Sequence, residues 1–215
     1  TIKLDGNYPV GTDNVALGNT ALDSVESGSS DNTTVGSNAG TSLTTGQYNT
    51  LIGSNAGDAL TTSQRNVAVG TGALTTDTLG SRSVAIGQSA LGSQNFTSAT
   101  DTYNTAVGQF AGLSNSTGQF NTFLGGQAGQ SNTTVSYNTA VGYQAGQDNT
   151  TGTVVAVGAL SLTNNTTGAD NTAVGTNVLQ STTTGSYNTA VGRQALQANT
   201  TASYNTAVGY QAGYS

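Results

Sequence analysis

One five-residue phrase, Asn-Thr-Ala-Val-Gly, returns about every seventeen residues and constrains the fold of this chain more than any other feature. Intact copies run from Asn104 to Gly108, Asn138 to Gly142, Asn171 to Gly175, Asn188 to Gly192 and Asn205 to Gly209. Looser copies end at Gly18, Gly36, Gly53, Gly70, Gly87, Gly125 and Gly158. A fixed period of this length is typical of a repeat architecture, in which each unit stacks on its neighbours. The chain is therefore predicted to be a solenoid, and its function must be sought on a regular surface.

The phrase itself predicts a short β-strand. Position two is Val or Thr in every copy, position four is Leu, Val or Ile, and position three is Ala except at Thr34, Leu51 and Phe123. Branched columns on either side of a small column have the period-two pattern of a strand, and nothing repeats at the helical period. We expect the branched columns to face the core and the alanine column to face away from it. We expect no helix.

The rest of each coil carries a second pattern. Three residues after each phrase glycine comes a small column, mostly Ala, and the next position alternates between Leu and Gly. A polar stretch rich in Thr follows, and we interpret the whole segment as a second short strand that ends in a turn. Stacked coils then pair equivalent strands in parallel.

These patterns define the expected domain organisation. The sequence predicts an all-β, parallel β-solenoid of about twelve seventeen-residue coils over residues 14–215. Residues 1–13 fit the repeat poorly and are expected to be a cap or a junction. One coil is four residues longer than the others, and its extra residues should form an outward loop near residues 94–100.

Composition bears on order and assembly. Only 34% of residues are hydrophobic, and Trp, Met, Cys and His are absent, as in some disordered low-complexity chains. A branched residue kept in register twelve times favours an ordered solenoid instead. Because each coil offers only a few small apolar side chains, we expect further burial against other copies of the chain, and hence a homo-oligomer.

Charge and hydropathy exclude several partners. The chain has four basic residues and a net charge of −6, too few cations to neutralise a run of phosphates, so we expect no nucleic-acid partner. No apolar run approaches the roughly twenty residues of a membrane span, so we expect no membrane insertion in this segment. A single Pro and very few Lys and Glu residues favour an extracellular protein.

Catalysis and metal binding have little support. Glu26 is the one glutamate, and the aspartates are scattered apart from Asp13 and Asp31, which share a column in adjacent coils. We interpret that pair as solvated turn residues, and we expect no enzyme activity, no catalytic residues and no cofactor. The calcium-binding Gly-Gly-x-Gly-x-Asp repeat is missing, so no metal site is expected either.

Two columns remain as candidates for recognition. The residue before the phrase is often aromatic, and these side chains could form a platform for sugar rings or could stack on one another and seal a groove between chains. The possible recognition ladder consists of Tyr48, Tyr103, Phe120, Tyr137, Tyr187 and Tyr204. The asparagine at position one either recognises glycans or forms amide ladders that satisfy the turn backbone, and the second interpretation is favoured.

The motifs Ser83-Val84-Ala85-Ile86-Gly87 and Asn66-Val67-Ala68-Val69-Gly70 resemble the head repeat of YadA-type trimeric autotransporter adhesins. The resemblance implies a left-handed β-roll that packs into a homotrimer. Asn138 to Gly146 and Asn205 to Gly213 are similar to arrays in phage tail-fibre and related virion proteins. This resemblance implies a structural and adhesive segment of an extracellular fibre, such as a phage tail fibre or virion appendage, that spaces and displays contacts for a host glycan or protein.

Two other functions compete with the fibre. One is the head of a bacterial surface adhesin at the cell surface. The other is an ice-binding solenoid, since a flat array of aligned Thr side chains can order water. We expect the Thr at position two to face inward, which counts against ice binding.

Overall fold

The computed structural model describes residues 13–214, so the cap or junction expected at residues 1–13 lies outside the described residues except for Asp13. The chain divides into two compact units, residues 1–105 and 106–215. Residues 13–214 contain β-strands and turns but no helix, which confirms the all-β prediction. Both units are parallel β-solenoids, with about eleven turns in all.

In the first unit each turn of the chain adds one strand to a parallel sheet. The strands of this sheet are β1 (Val15–Leu17), β2 (Thr33–Val35), β3 (Thr50–Ile52), β4 (Val67–Val69) and β6 (Val84–Ile86). Equivalent phrase positions lie opposite one another, so that Leu51 pairs with Ala68. A second parallel pair joins β5 (Gly80–Ser81) to β7 (Thr100–Asp101) at the longer coil.

The second unit repeats the arrangement. Strand β8 (Thr105–Val107) spans the boundary between the units, and the strands that follow are β9 (Thr122–Leu124), β10 (Thr139–Val141), β11 (Val154–Val157), β12 (Asn171–Val174), β13 (Thr189–Val191) and β14 (Thr206–Val208). Strands β9 to β14 pair in chain order, all parallel. Strands β11 and β12 are one residue longer because Val154, which replaces the usual asparagine, pairs directly with Asn171.

The phrase glycine ends each strand at a close backbone approach. Gly53 has φ of +134°, and its amide donates to the carbonyl of Val35 at 2.7 Å. A Cβ at this position would lie 2.6 Å from the carbonyl oxygen of Gly70 in the next turn. Only glycine combines this dihedral angle with this contact, and for that reason the phrase ends in Gly in every copy.

Left-handed corners replace the second strand that the sequence predicts. In a typical turn of the chain, the residues two and four places after the phrase glycine both have φ near +57°, as at Asn55 and Gly57. A backbone with two left-handed residues so close together cannot stay extended. Outside the phrase strands, the only pairing in residues 13–214 is β5 with β7 and a single bridge from Ser30 to Gln47. The prediction of a second strand in each coil was therefore wrong.

The core contains the column that we expected to face outward. At position three, Ala68, Ala85 and Ala173 are completely buried, whereas the neighbouring branched residues at positions two and four are half-buried or exposed. The small column three residues after the glycine is also buried, as at Ala39 and Ala56. Each coil closes on the position-three side of its strand, so this column packs inside with the column that follows the glycine, and the prediction that the valine side faces the core was wrong.

The two large residues at position three fit because a glycine makes room for each. Phe123 is 1% exposed, and a methyl group on Gly129 would overlap its ring. Leu51 is equally buried, and a Cβ at Gly57 would lie 2.8 Å from its Cδ2. At these two turns the glycine therefore leaves the core volume that the larger side chain at position three fills.

The asparagines at position one form a buried ladder, as the sequence analysis favoured. The backbone amides of Asn49 and Asn66 each donate to the side-chain oxygen of the asparagine one turn earlier, at 3.0 Å. The side-chain nitrogen of Asn49 also donates to the carbonyl of Ser63 at 2.9 Å. These side chains are completely buried, so they are unable to recognise a glycan.

Candidate functional site

Except at Thr153, the residue before position one occupies a left-handed corner in both units, and we call the left-handed residues the corner column. Its members are Asp13, Asp31, Tyr48, Arg65, Arg82 and Tyr103 in the first unit and Phe120, Tyr137, Asp170, Tyr187 and Tyr204 in the second. All have φ between 50° and 66°. Asn and Asp adopt this conformation more readily than bulky residues do. The aromatic and arginine side chains are therefore present for a reason other than backbone preference.

In the first unit two tyrosines of the corner column flank two arginines. The guanidinium carbon of Arg65 lies 5.3 Å from the ring centroid of Tyr48, and that of Arg82 lies 5.6 Å from the centroid of Tyr103. These are cation–π distances. The four side chains belong to successive turns, and both tyrosines are about half exposed.

In the second unit the aromatic side chains stack on one another. The rings of Phe120 and Tyr137 lie 5.2 Å apart and within 6° of parallel. Those of Tyr187 and Tyr204 lie 5.0 Å apart and within 8°. Between the pairs, one coil is a residue shorter, and Thr153 and Asp170 stand where the other coils of this unit have aromatic residues. Within each pair, stacking covers one face of each ring, so that face is closed to a sugar ring.

The longer coil of the first unit encloses a cleft beside the arginines, which we call the insertion cleft. Its volume is about 480 Å³, and its lining includes Thr62, Gln64, Arg65, Arg82, Thr100 and Asp101. Arg82 forms an ion pair with Asp101, with 2.9 Å between Nε and Oδ2. Arg65 is exposed, and its hydrogen bond to the Gln64 side chain is long, at 3.4 Å. The guanidinium of Arg65 thus keeps most of its donors for a ligand.

A buried polar network holds the base of the longer coil. Asp77 Oδ1 accepts hydrogen bonds from the backbone amides of Gly80 and Phe96, both at 3.1 Å, and Oδ2 accepts one from Gln94 at 2.6 Å. Gln94 also donates to Ser83 Oγ at 2.8 Å. Asp77 and Gln94 are completely buried. The outward loop expected at residues 94–100 is exposed at residues 97–99, while Gln94 and Phe96 lie inside.

The second unit has a smaller cleft where the corner column is interrupted. Its volume is about 360 Å³, and it lies between Tyr137 and Asp170. Thr153 lines it and donates a hydrogen bond to Asp170 Oδ1 at 3.0 Å. One aromatic edge and one carboxylate already bound to a hydroxyl provide fewer unused polar groups than the insertion cleft does.

The outer face of each sheet is the other candidate surface. Position four places Ile52 and Ile86 in the first unit and Val174 and Val191 in the second, each 37–38% exposed. Position two adds half-buried or exposed Thr and Val side chains, including Val155 at 39%. The sheets keep these side chains in register, so each unit has an outer face with apolar and Thr columns. The expectation that Thr at position two faces inward was wrong.

The acidic residues of the described part of the chain differ in their exposure. Asp13 and Asp31 are both exposed corner residues. Among residues 13–214, no three His, Cys, Asp or Glu side chains lie close enough to hold a metal ion. The aspartate with the most hydrogen bonds to its carboxylate, Asp77, is buried within its own protein donors and is closed to a substrate.

Sequence reasoning missed two features of this region. It recorded the aromatic members of the corner column but not Arg65 and Arg82, although both occupy the same place before the phrase. It also missed the buried pair of Asp77 and Gln94. The signal for this pair is the seventh residue after the phrase glycine, which is Leu in two earlier coils and becomes Asp and then Gln.

Comparison with known proteins identifies no relative of this chain. No protein-family model matches it, and neither the curated proteins nor the solved structures contain a match. Within residues 13–214 there is no helix with the length and apolar character needed to cross a membrane.

Proposed function

We propose that this chain is a structural and adhesive segment of an extracellular fibre, a phage tail fibre or similar virion appendage, without enzyme activity. In this proposal three left-handed β-rolls of twelve coils each pack into a homotrimer. The trimer acts as a stiff spacer and displays its turns many times over to a host glycan or protein, so that weak contacts add by avidity. The head of a bacterial surface adhesin is the alternative within the same class.

The observation that carries the proposal is the outer face of each sheet, where an apolar column at position four lies beside the Thr and Val column at position two. In the apolar column, Ile86 and Val174 each have more than a third of their surface exposed. Apolar side chains exposed in register along one face are typical of an interaction surface. A second copy of the same chain is the natural cover, because its face has the same column spacing of about 4.8 Å.

Sedimentation equilibrium on the intact chain tests the proposal. We expect a threefold mass for the wild type. Val174→Asp places a carboxylate on the outer face, where association would desolvate it, so this variant should shift the protein towards the monomer. Thr167→Asp, in the exposed polar turn of the same coil, is the matched control and should keep the threefold mass. A wild-type monomer at all concentrations would contradict the trimer.

Ice binding is the second candidate because the Thr residues at position two face outward. Thr172 and Thr189 lie opposite one another in neighbouring strands and extend the same outer face. This function requires the face that the trimer would cover, so the two proposals exclude each other on that surface. Thermal hysteresis by a monomeric protein, reduced by Thr172→Lys, would favour ice binding over the fibre.

A further inference from the structure

We propose that the insertion cleft binds an anionic saccharide, one with a carboxylate or sulfate group, through Arg65 and Arg82. The inference rests on the proposed adhesive function and names its ligand class and its site. The cleft lies where the one longer coil interrupts the regular repeat, and it brings together two of the four basic residues of the chain.

Charge favours an anion at this place. The cleft lining contains Arg65, Arg82 and one acidic residue, Asp101, which gives a local charge of +1 in a chain whose net charge is −6. The Asp101 carboxylate contacts Arg82, so Arg65 is the cation with unused donors. A guanidinium binds a carboxylate or sulfate with two parallel hydrogen bonds, a geometry that a planar fork of N–H groups provides.

The arginines are oriented before any ligand arrives. Tyr48 and Tyr103 support the two guanidinium groups through their ring faces, and Asp101 fixes Arg82 further. Both arginines have a left-handed backbone, with φ of 58° and 64°. Side chains held by ring and carboxylate contacts lose less conformational entropy on binding.

The turn of the longer coil that lines the cleft is held in place as well. Strand β7, which consists of Thr100 and Asp101, pairs with β5, and the carboxylate of Asp77 accepts a hydrogen bond from the backbone amide of Phe96 at the base of the loop. These contacts hold Thr100 and Asp101 beside the arginines before a ligand binds.

The size and the remaining lining fit a sugar. A volume of about 480 Å³ lies within the usual range for small-molecule sites, about 300–1,000 Å³. Thr62 and Thr100 bring hydroxyl groups that can pair with sugar hydroxyls, and Leu79 and Ala99 bring small apolar patches for the C–H face of a ring. Two cations are too few to follow a nucleic-acid backbone, which favours a single anionic group on a saccharide.

Isothermal titration calorimetry on the intact protein tests the inference. The probes are a galacturonic acid tetrasaccharide, a sulfated tetrasaccharide and a neutral tetrasaccharide of the same length. We expect the wild type to bind at least one anionic probe, and Arg65→Gln to weaken that binding at least tenfold. Arg82→Gln should weaken it less, because Arg82 already contacts Asp101. Preference between the two anionic probes identifies whether the group is carboxylate or sulfate.

Arg193→Gln is the matched control, because Arg193 is exposed in the second unit and its substitution removes the same charge. Its affinity should stay within twofold of the wild type. Equal weakening by Arg193→Gln, equal binding of the neutral probe, or no binding of either anionic probe overturns the inference. The mass of the same samples separates the two proposals. A trimer that binds none of the probes refutes only the site, and a monomer that binds an anionic probe refutes only the trimer.

Discussion

The two units fill the same interior position with opposite chemistry. Seven residues after the phrase glycine, the first unit has Leu43 and Leu60, both completely buried. The second unit has a run of buried asparagines at this position, Asn115, Asn132 and Asn149. We call this position the inner column. The backbone around it has the same left-handed corners in both units, so the coil does not depend on an apolar side chain there.

The asparagines are tolerated in the core because neighbouring turns supply hydrogen-bond partners for their side-chain amides. Asn132 Nδ2 donates to Asn115 Oδ1 at 2.7 Å and to the carbonyl of Val135 at 3.1 Å. Asn132 Oδ1 accepts a hydrogen bond from Asn138 at 2.9 Å. A buried polar group costs free energy only when it lacks partners, and stacking places the next partner one turn away. A solenoid can therefore replace apolar core with an amide ladder if several successive turns change together.

The first unit shows what happens where the column changes its chemistry. Leu60 is followed by Asp77 and Gln94, and these two bond to each other and to the backbone of the longer coil. The change to polar residues coincides with the insertion. The inserted residues include Phe96, whose backbone amide donates one of the hydrogen bonds to the Asp77 carboxylate.

The largest effect should come from placing an amide in the apolar part of the inner column. Leu60→Asn removes a buried leucine and leaves an amide between Leu43 and Asp77, without the ladder that Asn132 has. We expect a loss of about 4 kcal/mol in the free energy of unfolding, measured by urea denaturation. Leu60→Met is the control and should cost less than about 1.5 kcal/mol. A loss under about 1 kcal/mol for Leu60→Asn would mean that one turn can exchange an apolar inner residue for an amide without changes in its neighbours.

The second largest effect should come from Asp77→Leu. This change leaves the amides of Gly80 and Phe96 and the side chain of Gln94 without their acceptor in a buried place. We expect a loss of about 3 kcal/mol and faster proteolysis at the exposed residues 97–99. Asp148→Leu, at an exposed position, is the control and should change the unfolding free energy by less than about 0.5 kcal/mol. Unchanged proteolysis in Asp77→Leu would show that other contacts hold the loop.

Replacing an asparagine of the inner column by leucine in the second unit should lower the free energy of unfolding by less. Asn132→Leu removes the partner of Asn138 but adds apolar volume, so we expect a loss of about 2 kcal/mol in the same assay. Asn132→Thr is the comparison variant, because Thr182 fills this position two turns beyond Asn149 and is completely buried. Asn132→Thr should lower the free energy of unfolding less than Asn132→Leu does. If the leucine variant were the more stable of the two, the asparagine ladder would contribute nothing to stability.

The smallest expected effect is an increase in the free energy of unfolding. The amide ladder stops at Asn165, whose Oδ1 is buried without a hydrogen-bond partner within the described residues. Thr182 follows it in the column and donates instead to the carbonyl of Asn199. Thr182→Asn should donate to Asn165 and raise the unfolding free energy by about 1 kcal/mol. Asn164→Thr changes an exposed neighbour in the polar turn and should be neutral. A destabilised Thr182→Asn protein would contradict the ladder as drawn.

Much of the fold was predictable from the phrase alone. Every copy forms a strand, and the parallel register follows from the constant period, as at Thr50 and Val67. The direction of each side chain was not predictable, because alternation separates two faces without saying which one is inside. The second strand was wrong for a related reason. Leu74 and Leu162 lie in the segments that the sequence pattern predicts to be second strands, yet both leucines adopt left-handed corners with φ near 50°.

The candidate site was predictable only in part. The aromatic column is visible in the sequence, and its pairwise stacking follows from the spacing of Phe120 and Tyr137. The insertion cleft was not predictable from the sequence, because Arg65 and Asp101 are far apart in the chain and line the same cleft only in the folded structure. A residue inserted into a repeat shifts everything after it in sequence, but the fold alone decides whether the extra chain points inward or outward.

The sequence by itself determined the period, the place of each strand and the need for glycine at its end, because these depend on local backbone geometry repeated in every turn. Tertiary structure decided which face of each strand is inside. Position three is buried whether it is Ala68, Leu51 or Phe123, and the branched residues at positions two and four lie on the outer face. The physical reason is that each coil closes on the position-three side of its strand, so this column packs against the apolar residues that follow the glycine, whatever their size.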